Sequence, residues 1–279
     1  MSANAPLTLS RSRLADFLAC ARRFQLRAVE RIPWPQPPLS PADEARFGRG
    51  RQFHQLLQRH FLGLPVDAGA LNDKRLRGWW QAFRNAPLPV HGAQNGRLLP
   101  ELTLTVPLGG HLLHGRFDLL LLHETDDGPA AHIFDWKTGR PPAGGRTTLQ
   151  EDWQTRLYLA LLAESGRALA PLPATAVGPD RIQLTYWFVA DPQNPITFRY
   201  DAAAHARSWN ELRAMVTGID THLHQDGIWP LTPDLDTCRS CAYQMLCDRQ
   251  AAGQEQPSHH EDEPPPHLTE MTALEPDLP

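Results

Sequence analysis

Between Glu101 and Lys137 three apolar segments succeed one another across two turn signals, and this stretch constrains the fold more than any other. Leu102, Leu104 and Val106 alternate with Thr103 and Thr105, Gly109-Gly110 leads into Leu112 to Leu122, and Asp126-Asp127-Gly128 leads into Ala131 to Lys137. Two-residue periodicity broken by glycine turns predicts an antiparallel three-stranded meander. Helices surround it in the sequence. The spacing of Leu14, Phe17, Leu18 and Phe24 predicts a helix over Ser12 to Val29, closed by Ile32-Pro33-Trp34-Pro35. Phe53, Leu57 and Phe61 form the apolar stripe of a second, from about Asp43 to Leu62, and a third covers Arg75 to Phe83. After the meander come a helix over Leu149 to Ser165 with Trp153, Leu157 and Leu161 on one face, strands at Arg181 to Val189 and Ile196 to Tyr200, and a helix over Ala202 to Gln225. No internal repeat is visible. The order reads as an α/β fold with a sheet core flanked by helices.

With 279 residues and 41% hydrophobic content the chain can bury an ordinary core. No uninterrupted apolar run is long enough to cross a bilayer, and Met1 to Pro6 lacks the charged and apolar regions of a signal peptide, so cytoplasm is the expected compartment and no membrane the expected partner. The formal charge of −4 is unevenly spread. Gln254 to Pro279 combines Glu261, Asp262, Glu263, Glu270 and Glu275 with many prolines and predicts a disordered acidic tail over 251–279 behind a body spanning 1–250. His259 and His260 in that tail read as solvent-exposed. Arg22, Arg23, Arg27 and Arg31, then Arg46, Arg49 and Arg51, form basic clusters able to follow a phosphate backbone, although each alone is also an ordinary solvated helix face.

The charges of the meander carry the chemistry. Asp118 in Gly115-Arg116-Phe117-Asp118 and the pair Asp135 and Lys137 in Asp135-Trp136-Lys137-Thr138-Gly139-Arg140 fall at the ends of consecutive predicted strands. Adjacent strands bring facing carboxylates toward one ion, and a lysine two residues after an aspartate points to the same face. Two carboxylates and an ammonium around a hard divalent metal are the parts needed to hydrolyse a phosphodiester. Singly, Asp118 is a strand-end turn residue, Asp135 with Lys137 a surface ion pair, and His54 beside an apolar stripe a packed histidine. Together they differ, because charge where the buried Ile133-Phe134 segment emerges needs a partner such as a metal. Gln154 and Tyr158, four apart, share a helix face and can reach one substrate strand, while Trp79 and Trp80 are better read as core than as base-stacking residues.

These residues resemble the PD-(D/E)xK nucleases, specifically the RecB-like branch that includes AddB-type nuclease domains and CRISPR-associated RecB-like exonucleases, over most of Leu9 to Arg249. The branch carries a histidine on an early helix, Gly-x-x-Asp, Asp-x-Lys often followed by Thr-Gly, and Gln-x-x-x-Tyr. His54, Gly115 to Asp118, Asp135 to Lys137, and Gln154 with Tyr158 match these in order. The resemblance implies a restriction-endonuclease-like mixed sheet and a site in which His54, Asp118, Asp135 and the Trp136 carbonyl bind Mg²⁺ or Mn²⁺. It implies that Lys137 serves the attacking water and that Gln154 and Tyr158 position DNA. Glu101 matches an acidic residue that often precedes the Gly-x-x-Asp, supporting the ligands or holding a second metal.

The four cysteines are the second signal: Cys20 on the first helix, then Cys238, Cys241 and Cys247 as Cys-x2-Cys-x5-Cys. Thiolates meeting at one centre would staple the first helix to the last segment. The resemblance points to a [4Fe-4S] cluster. On chemistry alone Zn²⁺ fits the same four thiolates, and a cytoplasmic setting disfavours disulfides.

The resulting expectation is a Mg²⁺- or Mn²⁺-dependent deoxyribonuclease, of exonuclease or flap type, acting on single-stranded DNA ends in repair or recombination. No Gly-x-x-x-x-Gly-Lys-Ser/Thr loop is present, so unwinding would need a separate helicase chain. The alternative is a non-catalytic DNA-binding or scaffold subunit of the same fold. A redox protein built on the cluster is a third reading, supported by nothing else in the chain.

Overall fold

The computed structural model describes residues 5–33, 39–86, 88, 96–165 and 177–250. The acidic segment expected beyond residue 250, with His259 and His260, lies outside them. The chain divides into two compact units: Leu39–Val106 with His114–Asn210, and Met1–Pro38 with Pro107–Leu113 and Glu211–Pro279.

The first of these holds the meander and the strands that follow. Strands β2 (Arg97–Leu108), β3 (His111–Thr125) and β4 (Gly128–Lys137) succeed one another, and β5 (Ile182–Phe188) and β6 (Asp191–Arg199) extend the sheet. β3 pairs with β2 and, antiparallel, with β4; β4 runs parallel to β5, which is antiparallel to β6. A parallel pair needs a crossover, here α5 (Gly145–Glu151) and α6 (Trp153–Ser165). The expected mixed sheet with flanking helices is therefore the architecture. Pro192 and Pro195 sit in β6, an edge strand where missing amide donors cost little.

Helices α3 (Pro41–Phe61) and α4 (Lys74–Arg84) build the core of this unit. α3 begins two residues before the expected Asp43, because Pro41 suits the first helical turn and the Ser40 hydroxyl accepts from the Asp43 amide at 3.1 Å. Asp73 caps α4 in the same way through the amides of Arg75 and Leu76. The buried rings of Phe53, Trp80, Phe83, Trp136 and Trp187 then close on Leu119, Leu121 and Phe134 of the strands. Trp79 packs edge-on against Phe53 at 5.7 Å, so both tryptophans serve packing.

In the other unit a short strand β1 (Thr8–Leu9) runs parallel to Leu112–Leu113. The single helix expected over Ser12 to Val29 is broken: α1 (Arg11–Ala19) ends at Cys20, whose backbone is extended (φ −164°, ψ 113°), and α2 (Ala21–Phe24) restarts and continues as a π-helical turn over Gln25–Val29. Helical periodicity carries through such a break and hides it. The buried Gln25 amide donates to the Gly227 carbonyl and accepts from the Trp229 amide, each at 2.8 Å, while Phe24 stacks on Trp229 at 5.8 Å. α7 (Ala202–Leu223) and the short α8 (Leu235–Arg239) complete the element list. No helix among the described residues is long and apolar enough to cross a membrane.

Candidate active site and cysteine centre

The β3–β4 ladder ends at the pair Leu119↔Phe134. One step beyond it stand Asp118 and Asp135. Asp118 is interior to the long β3 rather than at its end, so what places it is the end of the pairing, not the end of the strand. There its Oδ2 accepts from the Trp136 backbone amide at 2.7 Å. His54 arrives from α3 and puts Nδ1 3.3 Å from Asp118 Oδ1. Gly50, one turn earlier on α3, faces Thr138, whose hydroxyl a Cβ there would meet at an ordinary contact distance of 3.4 Å.

Glu101, expected to support the ligands or hold a second metal, completes the cluster. One ligand atom from each of His54, Glu101 and Asp118 lies within 4.8 Å of the other two. Glu101 takes a left-handed backbone (φ 55°) inside β2, a conformation that costs about 1–3 kcal/mol for a non-glycine residue and is concentrated at functional sites. Arg116 Nε stands 3.2 Å from its carboxylate. The strain has no sequence signature.

Asp135 and Lys137 form the second half. Lys137 Nζ is 2.8 Å from Asp135 Oδ2 as an ion pair and donates to Gln154 Oε1 at 2.8 Å, while Gln154 Nε2 donates to Asp135 Oδ1 at 2.7 Å. Gln154 is thus brought between aspartate and lysine. The expected helix over Leu149 to Ser165 breaks at Asp152, whose carboxylate accepts from the Gln154 amide at 2.7 Å and starts α6 with Gln154 in its first turn. Tyr158, one turn on, lies edge-on to Phe117 at 5.0 Å. Gly115 is required by this packing, since a Cβ would come within 2.7 Å of Leu161 Cδ1 and 3.2 Å of the Tyr158 ring. His54, Glu101 and Asp118 form one cluster and Asp135, Lys137 and Gln154 another within one unit, which also holds Tyr158.

The electrostatics are those of crowded carboxylates. Burial, and then the Asp118 charge, push Glu101 above the ordinary carboxylate range, against Arg116 and His54. Burial raises Asp135 as well, Lys137 opposing it and Asp118 adding to it. For Asp118 burial is outweighed by His54, by the Trp136 amide and by Lys137, and its pKa falls. Burial pulls the His54 imidazole down, but Asp118, Asp135 and Glu101 together lift it above the usual histidine value. Asp135 Oδ2 is buried with the Lys137 ammonium 2.8 Å away as its partner. An imidazole and two carboxylates from His54, Glu101 and Asp118 with ligand atoms within 4.8 Å of one another, beside the buried Asp135, fit a divalent cation.

The cysteine centre belongs to the other unit. All four cysteines are free and line one cavity with Arg23, Thr237 and Tyr243. The extended Cys20 that breaks the first helix contributes to it, and the Cys241 amide donates to the Cys238 carbonyl at 3.0 Å. Burial raises the Cys241 and Cys247 thiols, and thiolates of the same group add to it, while Arg23 and Arg22 oppose it. The four cysteines thus share one cavity lining, at the extended Cys20 and the C-terminal Cys238, Cys241 and Cys247.

The family follows from comparison with known proteins. Residues 8–248 match the model of the PD-(D/E)XK nuclease superfamily, and the chain belongs to that superfamily. No curated protein matches. Among solved structures, the chain is similar to one described as "Putative exonuclease" from Eubacterium rectale at 10% identity, TM-score 0.49, covering 90% of this chain and 91% of that one. It is also similar to the structure of SSO0001, at 15% identity and TM-score 0.33, covering 88% and 87% of the two chains.

Proposed function

We propose that this chain is a Mg²⁺- or Mn²⁺-dependent deoxyribonuclease of the RecB-like branch, acting exonucleolytically or on flaps at single-stranded DNA ends. The observation that carries the reading is the convergence of His54, Glu101 and Asp118 beside the Asp135, Lys137 and Gln154 triangle. Asp118, Asp135 and His54, with Glu101 beside them and the Trp136 carbonyl, would hold the cation. Bound there, a divalent ion lowers the pKa of water and offsets charge on the phosphorus oxygens. Lys137 presents an ammonium that can keep or pass a proton at Nζ, and Gln154 fixes its distance from Asp135. Tyr158 offers a half-buried ring to the incoming strand, with Gln154 behind it.

At the second centre we assign Cys20, Cys238, Cys241 and Cys247 to a [4Fe-4S] cluster, with Zn²⁺ as the alternative; the shared cavity and the neighbouring arginines support a bound anionic cluster. The reading extends to a nuclease body over 1–250 with an acidic tail, a cytoplasmic place in repair or recombination, and a separate helicase for unwinding. Incubating the anaerobically purified protein with a labelled single strand and Mn²⁺, alongside iron and zinc analysis, tests it. Shortening of the strand is expected. A mobility shift without shortening would identify a DNA-binding scaffold instead.

A further inference from the structure

The ammonium of Lys137 has a neighbour that the sequence motifs leave out. In the parallel ladder Asp135 stands opposite Tyr186 and Lys137 opposite Phe188. Side chains alternate along a strand, so Asp135 and Lys137 project to one face and Tyr186, in register with Asp135, projects to the same face. The centroid of its ring lies 5.3 Å from Lys137 Nζ, and the residue is 1% exposed. Its hydroxyl is 2.8 Å from the Thr155 hydroxyl, which also bonds the Leu149 carbonyl. Thr155 follows Gln154 in the first turn of α6. One buried side chain therefore touches the lysine with its ring and the helix that carries Gln154 with its hydroxyl.

Resting on the nuclease reading of this site, we propose that Tyr186 is a positioning residue for Lys137, its ring seating the ammonium between Asp135 and Gln154. A buried tyrosine needs a partner for its hydroxyl, which Thr155 satisfies; the π-face beneath a cation is a separate feature and favours the ammonium electrostatically.

The test compares wild type with Tyr186→Phe, Tyr186→Leu and Thr155→Val on a labelled single strand with Mn²⁺, resolving kcat from KM. Leu should lower kcat by about tenfold or more with KM within about twofold, whereas Phe, which keeps the ring, and Val stay within about threefold of wild type. A second readout is independent of turnover. An aromatic ring facing the lysine shifts its ε-methylene protons upfield in NMR spectra; the shift should persist in Tyr186→Phe and vanish in Tyr186→Leu. Wild-type kcat in Tyr186→Leu, equal losses in Leu and Phe, or no upfield shift in wild type overturns the proposal. A wild-type chain that leaves DNA uncut while showing the shift overturns the nuclease reading and the catalytic role, and leaves the contact itself established.

Discussion

The two centres are built in opposite ways. In the candidate active site every charged group meets protein partners before any ligand arrives: Asp118 takes the Trp136 amide, Lys137 and Asp135 share Gln154, and Glu101 meets Arg116. The elements beneath are long and rest on a core of fully buried rings, Phe53, Phe83 and Trp187 among them. The cysteine region rests on a helix of 5 residues and a 3₁₀ turn of 4, too short to hold themselves. It exposes Ile228, Met245 and Leu246 at 77%, 79% and 54%. Individual bonds tie it down, such as Tyr243 to the Ile32 carbonyl at 2.6 Å and the Arg22 amide to the Pro230 carbonyl at 3.1 Å. The first centre is held by packing, while in the proposed reading the second would gain its rigidity from ligation.

Removing function without structure, and structure before function, is the sharpest way to break this contrast. Asp135→Ala and Lys137→Ala should lower cleavage on the order of 10³-fold, since each removes charge at the reacting centre. Thermal unfolding and the metal content at the cysteines should stay at wild-type values. On the proposed cluster reading, Cys238→Ala should do the reverse first, losing the cluster and its visible absorption and lowering the midpoint by several degrees, at about 2–4 °C per kcal/mol for a chain of this size. Equal destabilisation by Asp135→Ala and Cys238→Ala in calorimetry would erase the distinction.

The same contrast governs what the sequence discloses. The meander and the flanking helices are legible because they rest on local periodicity, and Asp118, Asp135 and Lys137 because they place charge within apolar segments, whereas His54, Gln154 and Tyr158 stand out only through the family resemblance. Less legible are features created by tertiary pairing. The extended Cys20 lies inside an unbroken helical pattern, and Asp152 interrupts another. Glu101 becomes a member of the metal-capable cluster through a strained backbone, and Tyr186 reaches Lys137 only through the β4–β5 register. Register between strands separated by a crossover is not written in either strand alone.

A smaller effect sharpens the comparison from within the sheet. His132 is buried, 2.6 Å from the Thr185 hydroxyl, which continues to Thr197 at 2.7 Å; burial, and then His123, push its pKa down to about 4. The folded value lies below the unfolded one, so folding is unpenalised above about pH 6.5 and weakens as the unfolded chain alone takes up a proton. The loss runs from about pH 6.5 to about pH 4 and amounts to roughly 3 kcal/mol, with no further change from this group below that. Urea unfolding of wild type and His132→Asn across this range should show that the variant lacks this part of the acid sensitivity. Parallel pH curves would show that His132 does not supply it.

Gly115→Ala is expected to have the smallest effect on activity and the most local one. The added methyl would lie 2.7 Å from Leu161 Cδ1 and 3.2 Å and 3.3 Å from two atoms of the Tyr158 ring, none of them backbone. α6 can yield by turning side chains, so the cost should fall at about 1–3 kcal/mol, typical of one overpacked methyl. The same displacement moves Tyr158, while Asp118 keeps the Trp136 amide and Gln154 keeps its Asp152 cap. On the proposed reading, in which Tyr158 meets the strand, activity should fall mainly through a raised KM for the single strand, with kcat near wild type, because the Asp135 and Lys137 pair is left in place. A fall confined to kcat would mean that α6 transmits the strain to Gln154, and that the rigidity ascribed to this centre is shared with the helix instead of residing in the sheet.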